Sequence, residues 1–166
     1  LTIECSHGII RYQTIPRCEV TDNKETYRIE SREDVSFYLA KLRYAIDDGA
    51  RLVIQEERQV DKNRPVIYTN KFTIPDLFPD EDPQVALKRE LKTLTVEEYI
   101  KTVKDLRFPN KSEMREFGKI YAGTKEVYIK LRVEILGPVG QPPLFVMSFH
   151  YAMRPFSEET FPYCKK

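Results

Sequence analysis

Glu126-Val127-Tyr128-Ile129-Lys130-Leu131-Arg132-Val133-Glu134-Ile135-Leu136 alternates apolar and polar side chains almost without a break. A period of two marks a strand with one buried face. Val127, Ile129, Leu131, Val133 and Ile135 point one way; Tyr128, Lys130, Arg132 and Glu134 point the other. A second run, Leu144–Tyr151, sets Phe145, Met147, Phe149 and Tyr151 on one side and Val146, Ser148 and His150 on the other. The linking residues 137–143 are rich in proline and glycine, so the two runs read as an antiparallel hairpin. Setting Leu136 opposite Leu144 brings Ile135 to Phe145, Val133 to Met147, Leu131 to Phe149 and Ile129 to Tyr151. All the apolar pairs then share one face, as a core requires. The same register puts Lys130 across from His150 and Arg132 across from Ser148, with Tyr128 on that polar face.

Working outward, Thr95 with Glu98 three residues on has the capping-box pattern and predicts a helix over about 96–106. Tyr99, Ile100 and Val103 form its apolar side; Lys101, Lys104 and Asp105 form its polar side. Asp82 before Pro83 starts a helix over about 83–92 carrying Val85, Leu87 and Leu91. Ser31 caps a helix over about 32–48, in which Val35, Tyr38, Leu39, Leu42 and Ile46 recur at spacings of three and four, and Gly49 stops it. Met114–Tyr121 and Arg51–Glu57 read as strands, Pro65–Thr69 and Lys71–Ile74 as a short strand pair, and Ile9–Tyr12 and Tyr27–Ile29 as further short strands. The expected fold is α+β: an antiparallel sheet with a C-terminal hairpin packed against two or three helices. A single domain over 1–166 is expected, with 1–80 an N-terminal β/helix extension and 81–166 the core.

The chain has 166 residues, 41% hydrophobic and 32% charged, enough to bury a core without staples. Its net charge of +1 excludes a wholly basic nucleic-acid coat. The charge is nevertheless polarised. Residues 101–132 hold nine Lys/Arg against four Asp/Glu, whereas residues 76–98 hold seven acids against three bases. A phosphate backbone would prefer the first segment, although such fluctuation is also common along ordinary chains. No run is long and apolar enough for a membrane helix and no signal-peptide pattern is present, so a cytoplasmic location without membrane association is expected. Three cysteines do not make a disulfide framework. Cys5, His7, Cys18 and Cys164 form a four-donor set but lack the usual C-x2-C knuckle; free thiols are the ordinary reading and a structural zinc the weaker one. Phosphate-loop, dinucleotide-fold, HExxH and GxSxG motifs are all missing.

Lys, Arg and Tyr are ordinary on the open face of a sheet. His150 differs in kind, because it is one of two histidines and exchanges a proton near neutrality. A face carrying Lys, Arg, Tyr and His without paired carboxylates suits metal-free phosphodiester cleavage. A base takes the ribose 2′-hydroxyl proton, cations stabilise the phosphorane, and an acid protonates the leaving 5′-oxygen.

Leu94–Thr102, Val127–Val133 and Phe145–His150 together resemble the MqsR family of bacterial toxins, which are RelE-like, metal-independent mRNA endoribonucleases neutralised by an antitoxin. The likeness covers roughly residues 94–150. It implies Lys101 as the helix lysine, Tyr128 as the strand tyrosine and His150 in place of the C-terminal lysine; the upstream glutamine has no clear match, and Arg115 lies nearby. The resulting expectation is a ribonuclease of toxin type acting on single-stranded mRNA, free or on the ribosome, with a protein antitoxin and no cofactor. His150, Tyr128, Lys101 and Lys130 are its catalytic candidates; Arg132, Arg115, Lys104 and Ser148 are its RNA-binding candidates. The alternative is a non-catalytic module binding protein or nucleic acid through the same face, for which ten tyrosines and nine phenylalanines serve equally well.

Overall fold

The computed structural model describes residues 20–21, 25–134 and 144–164. The Ile9–Tyr12 strand, the loop after Leu136 and three of the four zinc candidates (Cys5, His7 and Cys18) lie outside the described residues. Cys164 is exposed.

The fold is α+β. Strands β1 (Val20–Thr21), β2 (Glu25–Arg28), β3 (Leu52–Ile54), β4 (Tyr99–Asp105), β5 (Met114–Tyr121), β6 (Lys125–Val133) and β7 (Leu144–Tyr151) form one sheet in the order β1-β2-β4-β5-β6-β7-β3. All neighbours are antiparallel except β3 and β7, which run parallel, so the sheet is mixed rather than wholly antiparallel. Helices α1 (Arg32–Asp47), α2 (Asn70–Leu77) and α3 (Pro83–Lys92) accompany it. The segment before residue 80 supplies the outer strands on both sides of the sheet.

Local chemistry accounts for the helix ends. The Ser31 hydroxyl accepts the Asp34 amide at 3.1 Å, and Gly49, at φ 81°, takes the left-handed conformation that ends α1. Asp82 accepts the Gln84 and Val85 amides, with Pro83 in the first turn of α3. Val35, Leu39, Leu42, Ala86, Leu87 and Leu91 close over Tyr99, Phe117, Ile129, Leu131 and Phe149 to make the core. Val85, read as apolar lining, points to solvent and Ala86 takes its place inside.

Three expectations are corrected. The capping box of Thr95 and Glu98 is present, but it starts only a single 3-10 turn over Val96–Glu98, after which the chain enters β4. The aromatic and β-branched residues Tyr99, Ile100, Thr102 and Val103 fit a pleated surface, and β4 is paired on both sides by β2 and β5. The expected strand pair at 65–74 is instead a 3-10 turn, Val66–Tyr68, followed by α2. This helix places Asn70, Thr73 and Ile74 against β7. There the Asn70 amide donates to the Gln55 and Met147 carbonyls and accepts from the Phe149 amide at 2.8 Å, while the Thr73 hydroxyl accepts the Tyr151 amide. Side chains of α2 thus complete the edge of β7 beyond the end of β3, where strand groups would otherwise be unpaired.

The third correction is the hairpin register. Val133 faces Leu144, Leu131 faces Val146, Lys130 faces Ser148, Ile129 faces Phe149 and Tyr128 faces His150, with an irregularity between Lys130 and Leu131. Met147 is the extra residue. This bulge reverses the faces of the first half of β7, so Leu144 and Val146 are fully buried while Phe145 and Met147 lie on the polar face.

Candidate anion-binding site on the second sheet face

The face of the sheet turned away from the core carries Glu116 from β5, Tyr128 and Lys130 from β6, and Ser148 and His150 from β7. Sheet pairing brings them together: Glu116 is opposite Lys130, Lys130 opposite Ser148, and Tyr128 opposite His150. The expected neighbours Tyr128, Lys130 and His150 are therefore one cluster, with Tyr128 rather than Lys130 directly across from the imidazole. The Tyr128 and His150 ring centroids are 5.5 Å apart.

This face is not open. The segment between β3 and α2 folds over it and brings in Arg58 and Arg64, while the C-terminal segment brings in Arg154 and Phe156. Together with Tyr128, Lys130, Ser148 and His150 these line a cavity of about 460 Å³, within the range of small-ligand sites. Gly118, opposite Tyr128, permits this roof, because a Cβ there would meet Phe156 ring atoms at 2.8 Å.

His150 forms the floor and is only 5% exposed. Its Nε2 lies 3.1 Å from Arg64 Nη1, and its Nδ1 lies 2.9 Å from the Tyr151 carbonyl oxygen. A guanidinium has no lone pair, so Nε2 accepts and Nδ1 carries the proton. Burial, joined by the nearby Arg64 and Arg58 charges, holds the imidazole below its ordinary pKa, against the opposing Tyr151 carbonyl and Asp61 carboxylate. His150 is thus a neutral base whose lone pair is turned toward the cavity arginines. Tyr128 is pushed the other way: burial, reinforced by the Glu116 carboxylate that accepts its hydrogen bond, raises its phenol well above the ordinary range and keeps the proton on.

The cations are unequally engaged. Lys130 Nζ lies 3.3 Å from both Glu25 and Glu116, and Arg64 lies 3.2 Å from Asp61. Arg58 is partly buried and donates to the Ser148 hydroxyl at 3.1 Å. Among the described residues it has no carboxylate within ion-pair distance. Burial lowers its pKa, with the neighbouring Arg64 charge adding to the effect and the Asp61 carboxylate opposing it.

The other candidates separate from this cluster. Lys101 is beside it, 3.9 Å from Glu116 and over the Tyr27 ring, but on a strand rather than a helix. Arg132 lies further along the same face, paired with Glu134 and stacked over Phe145. Arg115 is on the opposite face, over the Tyr38 ring and bonded to Glu30. Lys104 is spent on the carbonyls of Pro109 and Lys111. The basic stretch 101–132 is largely neutralised within the fold: Arg107 pairs with Asp105, Lys119 with Glu90 and Lys125 with Asp76. The site arginines Arg58, Arg64 and Arg154 come from outside it. They were missed because Arg58 and Arg64 lie between the expected strands Arg51–Glu57 and Pro65–Thr69 and Arg154 lies beyond the expected hairpin, stretches to which the sequence assigns no element, and only their closure over the sheet reveals the role.

Among the described residues there is no cluster of three or more His, Cys, Asp or Glu positioned for a metal ion, and no helix long and apolar enough to cross a membrane. Comparison of the chain with protein-family models, curated proteins and solved structures gave no match.

Proposed function

We propose that the cavity under Arg58 and Arg64 binds a phosphodiester of single-stranded RNA, and that the protein cleaves it without a metal. The observation that carries this reading is Arg58, a partly buried guanidinium with a neutral hydroxyl as its hydrogen-bonded partner, facing a cavity floored by a neutral histidine. Its remaining donors suit phosphate oxygens, which a guanidinium engages two at a time.

An incoming phosphate competes with His150 for Arg64 and draws the guanidinium onto itself. The freed Nε2 lone pair takes the proton of the ribose 2′-hydroxyl, whose oxygen bonds to phosphorus. The bond from phosphorus to the 5′-oxygen breaks, and that oxygen takes a proton from the Tyr128 phenol. Arg58, Arg64 and Lys130 carry the charge that builds on the phosphorane. The products are a 2′,3′-cyclic phosphate and a 5′-hydroxyl. In the cell this is mRNA cleavage of the toxin type, held in check by a protein antitoxin.

The test is incubation with mixed-sequence single-stranded RNA in the presence of a chelator. Cyclic-phosphate ends are expected, with H150Q slower by about 10²- to 10⁴-fold, the worth of a general base. RNA left intact and unbound would overturn the proposal. RNA bound but uncut would favour a second reading, a non-catalytic RNA-binding module. That reading draws support from the Arg64 contact that already occupies Nε2.

A further inference from the structure

A second cavity of about 500 Å³ adjoins the first and shares Arg58 and Lys130 with it. Its character is different. Val103 and Met114, paired across β4 and β5, and Phe145 and Met147, placed on this face by the β7 bulge, give it an apolar lining. Glu57 and Arg132 add an acceptor and a donor. Its outer wall is the turn after β4, with Phe108 near the tip. That turn is braced from within: Lys104 donates to the Pro109 carbonyl at 2.9 Å and to the Lys111 carbonyl, and Asp105 grips the Arg107 guanidinium and backbone amide. Phe108 is 58% exposed despite its size. Its ring is therefore presented on a fixed turn rather than buried.

We infer that this second cavity is a nucleobase subsite, in which the base attached to the nucleotide beside the bound phosphate stacks on Phe108 while its polar edge meets Glu57 and Arg132. The inference rests on the phosphate reading of the first cavity and adds the substrate feature that the anion pocket lacks. A phosphate pocket alone does not distinguish nucleotides. An apolar slot with an aromatic wall and a few edge-on polar groups, one shared arginine away, is the composition that recognises bases. Glu57 accepts from exocyclic amino groups, as a carboxylate does from cytosine, and so favours amino-bearing bases over uracil.

The test uses fluorescently labelled 2′-O-methyl hexamers of A, C, G and U, which lack the nucleophilic hydroxyl, and an abasic hexamer with the same backbone. Binding is followed by anisotropy. At least one base-bearing hexamer is expected to bind about tenfold tighter than the abasic one, the worth of one stacked base. F108A should erase that difference without weakening abasic binding, and R58A should weaken every hexamer alike. Equal binding of abasic and base-bearing hexamers, or a preference surviving in F108A, overturns the base subsite and leaves the phosphate reading standing. Absence of binding by every hexamer overturns both.

Discussion

Arg64 and His150 meet at 3.1 Å, a guanidinium against an imidazole with no carboxylate between them. The contact is compatible only with a neutral ring. The folded state holds His150 below its ordinary pKa of 6.5, so the unfolded chain takes up this proton more readily. The stability contributed by the neutral ring is present above pH 6.5 and is lost as pH falls through the lower folded value. Denaturation midpoints should fall as pH drops from 7.5 to 5.5, and H150Q should flatten that slope. A wild-type midpoint that does not change across this window would contradict the neutral state of the folded ring.

Asn70 stands in for a missing strand. Replacing it with alanine leaves the Met147 carbonyl and the Phe149 amide unpaired inside the protein. Each buried orphan costs about 1–3 kcal/mol, so N70A should lose about 3 kcal/mol in chemical denaturation. A loss below half that figure would mean that water reaches this edge.

Gly118 lies beneath the aromatic pair Phe156 and Phe161, whose rings pack edge to face. A methyl group at G118A would sit 2.8 Å from Phe156 and 2.9 Å from Phe161, so the C-terminal segment must lift. The expected cost is about 1–3 kcal/mol. Limited proteolysis should cut the segment after Tyr151 faster in G118A than in wild type, and equal rates would show that the segment does not depend on this contact.

Glu116 and Lys130 are both nearly buried and lie 3.3 Å apart. E116A leaves the ammonium with Glu25 alone and should cost about 3 kcal/mol. The double variant E116M/K130M removes both charges but still leaves the Tyr128 phenol without its acceptor, so it should recover part of that loss. Failure to recover would show that the pair acts as more than a neutralised contact.

Much of the fold was legible from periodicity. The β6 alternation, the α1 face with its Ser31 cap, and the Asp82-Pro83 start of α3 carry their own local signals, and the structure follows each. The misreadings have a common physical source. Tyr99 to Asp105 spaces its apolar residues in a way that serves a helix or a strand, and pairing with β2 and β5 decides between them. Asn70 falls between the two expected strands and Thr73 inside the second, until the edge of β7 gives their side chains partners on a helix. The hairpin register was drawn from an unbroken alternation, and no residue type announces the irregularity at Met147. For the site, the juxtaposition of Tyr128, Lys130 and His150 was readable because it lies on neighbouring strands. Arg58, Arg64 and Arg154 were not, because segments distant in sequence deliver them.

That irregularity gives β7 a change of phase halfway along its length. Residues 144–146 answer to one side of the sheet in the opposite sense from residues 148–151, so the two halves are free to diverge separately. Excising Met147 would remove the bulge and leave every pair on either side of it in register, Val146 opposite Leu131 and Ser148 opposite Lys130, so the slot proposed for the base would lose one apolar lining residue while His150 kept its place. A single-codon deletion is therefore a surgical way to separate what this surface recognises from what it does.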